Sequence, residues 1–449
     1  MDDPVLLSRI QFAITIGFHF LFPPLSIGLA WMLVIVEGIG WRTQSAAWQN
    51  AGRLFAKLLA LTFAVGVATG IVMEFQFGTN WAEYSKFVGD IFGAPLAAEA
   101  LFAFFLESTF LGLYLFGRGR ISRGLLFFSV LMVAIGATIS AFWIIVANSW
   151  QQTPAGFVFN EAAGRAELTD FVAAVFNPST LVRFFHTMCA AIVCGSFFMA
   201  AIAGARLRTN DASAPDRKAL AAAVIVAFIA SMLTAFPTGH LHAQQVARTQ
   251  PEKFAAIEGL YETQSGAPLI AFGLVRDNPP ELDAKIHLPI PGLLSWMAFG
   301  DFNAEIKGIN EFPPNDRPPL WMTFVSFHNM VILGLWFQFV MFLAVVQLWR
   351  GKLWTSRWLN RAILISLPLT LAATQFGWVT AEVGRQPWVV YHLLRTSDAV
   401  STSVTAGEVW FSIILFSAIY LALGALYLFL LFREASHDIE PATAQEAAT

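Results

Sequence analysis

The chain has 449 residues, of which 57% are hydrophobic and only 13% are charged. Soluble domains carry about 25% charged residues, so this composition excludes an ordinary soluble protein and indicates a membrane protein. The formal net charge of −3 comes without a basic block or tail, so the sequence predicts no nucleic-acid partner.

Nine apolar runs are long enough to cross the hydrocarbon layer as helices, which takes about 20 residues each. In chain order they cover residues 11–36, 58–78, 94–117, 124–147, 183–205, 219–237, 321–349, 362–382 and 408–432. The sequence therefore predicts an all-α, polytopic membrane protein with nine transmembrane helices. Its parts are six spans within residues 1–237, a long loop over 238–320, three spans within 321–432 and a tail over 433–449.

Two prolines interrupt the first of these runs. Pro23 and Pro24 lack the N–H groups that would bond to the carbonyls of residues 19 and 20. We therefore expect the first transmembrane helix to kink directly after His19.

The basic residues are distributed unevenly between the two sides of the predicted bundle. The short loops after spans 1, 3, 5 and 7 hold 14 Lys and Arg residues, whereas the N-terminus and the short loops of the opposite side hold six. Basic residues collect in cytoplasmic loops. The N-terminus is therefore predicted outside, the C-terminus in the cytoplasm, and the loop over 238–320 on the outer side.

Few ionisable residues lie within the spans, and each is a candidate functional residue because burying charge in a bilayer is costly. The carboxylates are Glu74, Glu99, Glu107 and Glu382, and the imidazoles are His19, His186 and His328. No Lys or Arg lies well inside a span. Carboxylates without cationic neighbours are typical of proton carriers or metal ligands.

The predicted orientation places four potential iron ligands in the outer half of the membrane. His19 and His186 lie in spans that start outside, Met330 lies early in span 7, and Glu382 ends span 8, which runs outward. Haem sites in helical bundles are built from side chains on facing helices. A lone membrane histidine is more often structural and a methionine more often packs the core, so the agreement in depth is what favours haem.

The segment Ala381–Trp388, with its Gly-Arg-Gln-Pro-Trp core, resembles the signature of subunit I of cytochrome bd-type quinol oxidases. The resemblance extends over residues 4–432. Further motifs that carry it, in chain order, are Ser8–Phe12 before His19, the Glu99 and Glu107 pair, Arg183–Thr187, Lys253 with Glu258, and Ser326–Met330. The loop over 238–320 is short compared with the extended version that some family members have. This feature and the segment Gly239–Val246 resemble the cyanide-insensitive branch of the family.

The resemblance implies a set of haem sites. His186 and Met330 match the axial ligands of a low-spin haem b, Glu382 matches the ligand of a high-spin haem, and His19 matches the ligand of another haem. The implied set is a low-spin haem b, a high-spin haem b and a haem d, or a further haem b in place of haem d. The last two haems form the implied oxygen-reducing pair, and which of His19 and Glu382 serves the oxygen-binding haem is left open. Three more residues join these sites: Trp378 for electron transfer, and Arg385 and Arg9 for cofactor binding.

The resemblance also implies routes for protons and for quinol. Glu99 and Glu107 match a proton relay, and on a regular helix they would lie about 80° apart around the axis and 12 Å apart along it. Lys253 and Glu258 match the functional pair of the quinol-binding loop. The implied substrates are quinol and oxygen, and the implied partners are a second large membrane subunit and a small single-span subunit in a bacterial cytoplasmic (inner) membrane.

One position departs from the family pattern, because His328 stands where arginine is common, two residues before Met330. Its spacing on a helix directs it away from Met330. Two other functions remain open. A haem b electron-transfer anchor would lack an oxygen-reactive site, and a proton-coupled transporter would explain the buried glutamates but not Met330 or the 384–388 motif.

Overall fold

The computed structural model describes residues 3–210, 212–277 and 280–436, so the expected tail lies outside the described residues from 437 onward. Within these ranges nine helical stretches are long and apolar enough to cross a membrane, which confirms the nine-span, all-α prediction. The stretches are Pro4–Thr43, Ala46–Thr79, Ala82–Phe116, Arg123–Gln152, Phe171–Arg206, Ala214–Thr249, Leu320–Trp349, Arg357–Val383 and Ala406–Ser436.

Several of these spans consist of more than one helix. In chain order the α-helices are α1 Pro4–His19, α2 Phe22–Thr43, α3 Ala46–Thr79, α4 Ala82–Ala98, α5 Phe105–Phe116, α6 Arg123–Gln152, α7 Phe171–Val175, α8 Thr180–Arg206, α9 Ala214–Leu233, α10 His240–Thr249, α11 Pro251–Glu258, α12 Leu293–Phe299, α13 Leu320–Trp349, α14 Arg357–Val383 and α15 Ala406–Ser436. A π-helical segment over Glu99–Phe104 joins α4 to α5, and another over Thr234–Gly239 joins α9 to α10.

Short connections reverse the chain between successive spans, so the span ends fall on two faces of the bundle. We call the face at which the first span begins the N-terminal face and the other the C-terminal face. The N-terminal face carries the longest connection, from 250 to 319, and four antiparallel strand pairs. The pairs are β1 Phe157–Asn160 with β2 Arg165–Leu168, β3 Gln264–Ser265 with β6 Glu305–Ile306, β4 Leu269–Asp277 with β5 Pro280–Ile290, and β7 Trp388–Val390 with β8 Leu394–Arg395.

The first span is broken where its two prolines predicted a kink. Helix α1 ends at His19, the chain turns through residues 20–21, and α2 begins at Phe22 with Pro23 and Pro24 in its first turn. A proline is tolerated at the start of a helix because the N–H groups there have no partner within the helix. The predicted kink is confirmed, and it leaves His19 at a helix end.

The sixth span is longer than its apolar run suggested. The sequence ended it at residue 237, whereas the helix continues through the π-helical segment and α10 to Thr249. Pro237 lies inside the π-helical segment, where the altered hydrogen-bond pattern accommodates its missing N–H. The polar turns of α10 therefore extend the span instead of opening the loop.

The core of the bundle is centred on the crossing of α2 and α8. A Cβ on Gly195 would overlap the backbone of Gly28, and one on Gly28 would overlap the backbone at Ala191. Small residues at such a crossing let two membrane helices approach closely. This contact holds α8, which carries His186, against α2, which begins shortly after His19.

Candidate functional site

A cavity of about 1750 Å³ runs between the spans. It exceeds the roughly 300–1,000 Å³ of a pocket for a single small ligand. Its wall includes ten of the eleven residues that the resemblance assigns to functional sites, which are Arg9, His19, Glu99, Glu107, His186, Lys253, Met330, Trp378, Glu382 and Arg385. The fold therefore brings together side chains from five of the nine described spans, from the long connection and from the turn after span 8.

His19 lies at the end of α1 and packs against α3. Its Nδ1 is 3.0 Å from Thr69 Oγ1. A Cβ on Gly70 would lie 3.1 Å from the His19 Cε1, so a glycine there leaves room for the imidazole. The ring is held on its Nδ1 side by a neighbouring helix.

His186, in the first turns of α8, is held in the same way. Its Nδ1 is 3.3 Å from Thr238 Oγ1, in the π-helical segment. His242 on α10 lies beside it, with ring centroids 5.5 Å apart, and also lines the cavity. Met330 reaches the cavity from α13, and a Cβ on Gly377 of α14 would lie 2.9 Å from its Sδ. Glycine at 377 therefore leaves space for the sulfur.

Glu382, near the end of α14, sits at the centre of a charged cluster. Its Oε1 accepts hydrogen bonds from Asn148 Nδ2 at 3.0 Å and from Gln152 Nε2 at 3.4 Å. Its Oε2 forms an ion pair with Arg385. Arg183 of α8 donates through Nη1 to the Asn148 carbonyl at 3.1 Å. The prediction that span carboxylates lack cationic neighbours is therefore wrong for Glu382, because cations at the ends of spans fold against it.

Arg385 is only 3% exposed, and its guanidinium is incompletely paired. Its Nε donates to the Trp388 carbonyl at 3.3 Å and its Nη2 pairs with Glu382, but its Nη1 has no hydrogen-bond partner among the described residues. An unpaired guanidinium nitrogen beside a cavity is suited to bind a carboxylate. Arg9 also lines this cavity and is exposed, and Trp378 lines it one helical turn before Glu382.

Helix α11 brings Lys253 into the same cluster. Its Nζ donates to Gln152 Oε1 and to the Ala381 carbonyl, each at 2.9 Å, and to Gln250 Oε1 at 3.3 Å. Burial, and then the neighbouring arginines, lower the pKa of Lys253 well below its usual value. A Cβ on Gly384 would lie 3.1 Å from the Lys253 Cε, which gives a physical reason for glycine in the 384–388 motif.

Glu258 lies on the same helix but apart from that cluster. Five residues of α-helix leave the side chains of Lys253 and Glu258 roughly 140° apart around the axis. Glu258 is 3% exposed, it does not line the cavity, and its Oε2 has no partner within the part of the chain that the structure describes. Burial raises the pKa of this carboxyl to about 8.

Glu99 and Glu107 face the same helix, α6. Ser140 donates to Glu99 Oε1 at 2.7 Å, and a Cβ on Gly136, one turn earlier, would lie 3.1 Å from the Glu107 Cβ. The π-helical segment between the two glutamates takes more residues per turn than an α-helix, so eight residues come closer to two whole turns. The offset of 80° calculated for a regular helix therefore does not apply. Glu74, on α3, lines the same cavity as Glu99 and Glu107.

His328 lies away from the cavity. Its Nδ1 is 2.9 Å from the Phe324 carbonyl and its Nε2 is 2.7 Å from the Ile270 carbonyl, on β4. Its ring stacks on Phe324 with centroids 3.8 Å apart. The residue connects α13 to the strand pair of the long connection and does not contact the Met330 sulfur, as its spacing predicted.

Comparison with known proteins identifies the family. A family model described as cytochrome bd terminal oxidase subunit I matches residues 7–439. The chain belongs to this family. Cytochrome bd ubiquinol oxidase subunit 1 of Bacillus subtilis (strain 168) is 39% identical over 97% of this chain and 95% of that protein. Cytochrome bd-II ubiquinol oxidase subunit 1 of Escherichia coli (strain K12) is 35% identical over 94% of each.

A solved structure agrees with this assignment. The bd oxidase from Geobacillus thermodenitrificans matches with a TM-score of 0.88 at 32% identity, over 97% of this chain and 99% of that chain. The resemblance stated from the sequence motifs is thus confirmed. Both of the relatives named above are described as subunit 1 of their oxidases.

The family is haem-containing, and the cavity of this bd oxidase subunit fits such a group. Two imidazoles, a thioether and a carboxylate are the donor types that bind haem iron or occur beside it. The unpaired Nη1 of Arg385 provides a position for a propionate.

Several residues of the site were not found from the sequence. They are Thr69, Asn148, Gln152, Thr238 and His242, and Arg183 was noted only as part of a motif. Uncharged polar residues within apolar runs are common, so none of them stands out locally. A Thr-Gly pair contacts each of His19 and His186, and this repeated pair is the one signal in the sequence that could have indicated Thr69 and Thr238.

Proposed function

We propose that this bd oxidase subunit oxidises quinol near the outer membrane face and reduces oxygen to water at a high-spin haem pair, contributing to the proton motive force without pumping. The observation that carries the proposal is the convergence of His19, His186, Met330 and Glu382 on one cavity in a chain of this family. The relatives named ubiquinol oxidases support quinol as the electron donor.

Each ligand candidate has a proposed group. His186 and Met330 would hold a low-spin haem b, and Glu382 and His19 would each hold one haem of the oxygen-reducing pair. That pair would consist of a high-spin haem b and a haem d, or a further haem b in place of haem d. When bound, these groups supply one-electron transfer and oxygen reduction. Trp378, one turn from Glu382, would provide an aromatic contact for electron transfer.

The cationic residues of the cavity have the complementary role. Arg385, through its unpaired Nη1, and the exposed Arg9 would bind haem propionates. The ion pair between Arg385 and Glu382 would hold the carboxylate in place until a group is bound. Asn148 and Gln152 orient the other carboxylate oxygen.

Glu99 and Glu107 would deliver the protons that oxygen reduction consumes. Both line the cavity and both face α6, and Ser140 provides a hydroxyl in contact with Glu99. A row of groups that can accept and donate protons is the requirement for a relay through apolar surroundings.

Quinol would bind at the connection on the N-terminal face, which takes up residues 250–319 of the predicted loop over 238–320. The pKa of about 8 of Glu258 lies near neutrality, which suits proton exchange with a quinol hydroxyl. Lys253, by its bonds to Gln152 and to the Ala381 carbonyl, connects this region to the Glu382 cluster.

We place the N-terminal face outside and the C-terminal face in the cytoplasm of a bacterial inner membrane. The excess of basic residues in the short loops of the C-terminal face supports this orientation. Protons released by quinol outside and protons taken from the cytoplasm would separate charge without a pump. A small single-span subunit would complete the complex with subunit II.

Glu382→Ala in the purified oxidase complex tests the proposal. We expect oxygen consumption with a soluble quinol to be abolished and the high-spin haem absorption to be lost, while the low-spin haem b spectrum remains. Glu83→Gln, which changes an exposed ion pair with Lys86 on the same face, is the matched control and should retain both. Continued turnover of Glu382→Ala would remove Glu382 from the mechanism.

Haem analysis of the wild-type protein separates the alternatives. Pyridine haemochrome analysis should show more than one haem per subunit, and the absorption spectrum of the intact protein should include a high-spin species. Low-spin haem b alone, with no oxygen consumption, would favour an electron-transfer anchor. A preparation without haem would favour a transporter.

Glu107→Gln tests the proton relay. We expect at least a tenfold decrease in oxygen consumption, because general acid–base groups contribute about 10²–10⁴-fold, with unchanged haem spectra. Proton uptake by proteoliposomes after an oxygen pulse should slow by the same factor. An undiminished rate would show that protons arrive by another route.

A further inference from the structure

The two histidines proposed as haem ligands are backed by the same two-residue element. His19 meets Thr69, followed by Gly70, and His186 meets Thr238, followed by Gly239. The glycine lies beside the same ring atom in each case, because a Cβ on Gly70 would be 3.1 Å from the His19 Cε1 and one on Gly239 would be 3.5 Å from the His186 Cε1. The histidine and threonine are 50 residues apart in one pair and 52 in the other.

The hydrogen bonds of each threonine favour one position for the ring proton. Thr69 Oγ1 lies 2.9 Å from the Val65 carbonyl, and Thr238 Oγ1 lies 2.9 Å from the Leu233 carbonyl. A hydroxyl has one proton to donate, and when a carbonyl of its own helix accepts that proton, the threonine oxygen accepts from the imidazole. This arrangement puts the ring protons on the Nδ1 atoms and leaves the lone pair of each neutral ring on Nε2.

Backbone carbonyls reinforce this assignment. The carbonyl of Gly66 faces His19, and the carbonyl of Thr234 faces His186, each as a hydrogen-bond acceptor. The opposite tautomer would direct a bare nitrogen lone pair toward that carbonyl oxygen. An imidazole that binds a metal through one nitrogen commonly donates the other N–H to such a partner, which fixes the ring and raises its basicity.

We propose that Thr69–Gly70 and Thr238–Gly239 are positioning elements that hold His19 and His186 as Nδ1–H tautomers with Nε2 directed to haem iron. This inference rests on the proposed function, since it assumes that both histidines bind haem. Threonines that bond to carbonyls of their own helix are common in membrane proteins. The repetition of the Thr-Gly pair beside both histidines, on a regular helix in one case and a π-helical segment in the other, distinguishes these two.

The test replaces the hydroxyl while keeping the shape of the side chain. Thr69→Val and Thr238→Val are prepared in the complete oxidase complex, with Thr69→Ser and Thr238→Ser as conservative variants that retain the hydroxyl. The measurements are the midpoint potential of each haem and the rate of haem transfer to apomyoglobin. Thr69→Ala and Thr238→Ala serve as second hydroxyl-free variants if a valine variant does not accumulate.

We expect haem loss to accelerate about 10–100-fold in the valine variants, which is the usual effect of removing such a partner. The midpoint potential should rise, because a less basic imidazole stabilises ferric iron less. Thr238→Val should affect only the low-spin haem, and Thr69→Val only the haem at His19. The serine variants should restore wild-type values.

Matched controls come from threonines in the same two spans whose hydroxyls bond away from the rings. Thr249 Oγ1 donates to the Gln245 carbonyl at 2.9 Å, and Thr62 Oγ1 lies 3.0 Å from the Tyr427 hydroxyl. Thr249→Val and Thr62→Val should leave potentials and haem transfer unchanged. Equal effects in the controls, or wild-type values in Thr69→Val and Thr238→Val, would overturn the inference while haem remains bound. A wild-type protein without haem would instead overturn the proposed function and this inference with it.

Discussion

Helix geometry gives Lys253 and Glu258 different environments although they lie on one turn and a half of α11. Lys253 contacts polar atoms of α6 and α14, whereas Glu258 is enclosed with an unpartnered Oε2. The sequence predicted both residues as a functional pair, and their roles stay predictions. It did not indicate that they point to different places, because neighbours across α11 are set by packing.

The pH dependence of stability should reveal Glu258. Its pKa is about 8 in the folded protein against 4.5 for the free group, so unfolding between these values releases a proton. Stability should therefore be full below about pH 4.5, fall as pH rises, and level off above about 8. We expect thermal denaturation of the purified complex to show a lower midpoint at pH 8 than at pH 6, and Glu258→Gln to reduce that difference.

Glu262→Gln provides the comparison for this measurement. Glu262 is exposed and accepts a hydrogen bond from Asn310 Nδ2 at 2.7 Å on the same face. It should leave the pH dependence as in the wild type. A Glu258→Gln protein whose midpoint falls as steeply as the wild type between pH 6 and 8 would contradict the assignment.

At the scale of helices, departures from regular geometry position the site. The break after His19 was predictable, because Pro23 and Pro24 act on their own helix. The segment from Glu99 to Phe104 was not, because nothing in its sequence marks a π-helical turn. That turn directs both Glu99 and Glu107 toward α6, so the two carboxyl groups lie on the same side of their span.

The close crossing of α2 and α8 allows a direct test of packing. Gly195→Ala should lower the thermal midpoint of the complex, because a methyl group there overlaps the Gly28 backbone and overpacking costs about 1–3 kcal/mol or more. Gly112→Ala, on α5 with no atom within 4 Å of the added Cβ, is the matched control and should be neutral. Equal midpoints for the two variants would show that the crossing relaxes without cost.

At the scale of the whole molecule, the central cavity makes bound haem part of the fold. The side chains proposed as ligands come from α1, α8, α13 and α14 and line one cavity of about 1750 Å³, so a group bound there would connect four helices. A ligand that binds only the native state stabilises it in proportion to its affinity and concentration.

Haem depletion should therefore destabilise the protein. We expect complex produced under haem limitation to unfold at a clearly lower temperature than the replete complex, as followed by tryptophan fluorescence, and reconstitution with haem to restore the midpoint. Replete and depleted samples that unfold at the same temperature would indicate that the helices support the cavity without the cofactor.

The sequence by itself determined the nine spans, the break after His19 and the family, because hydropathy, proline chemistry and motifs act over short stretches of chain. It also named ten residues that share one cavity, although their ligand assignments remain predictions. Only the tertiary structure decided that Arg183, Lys253 and Arg385 surround Glu382 and that a Thr-Gly pair backs each histidine. Those contacts join residues far apart in the chain, so they depend on how the helices pack and turn, which no local pattern records.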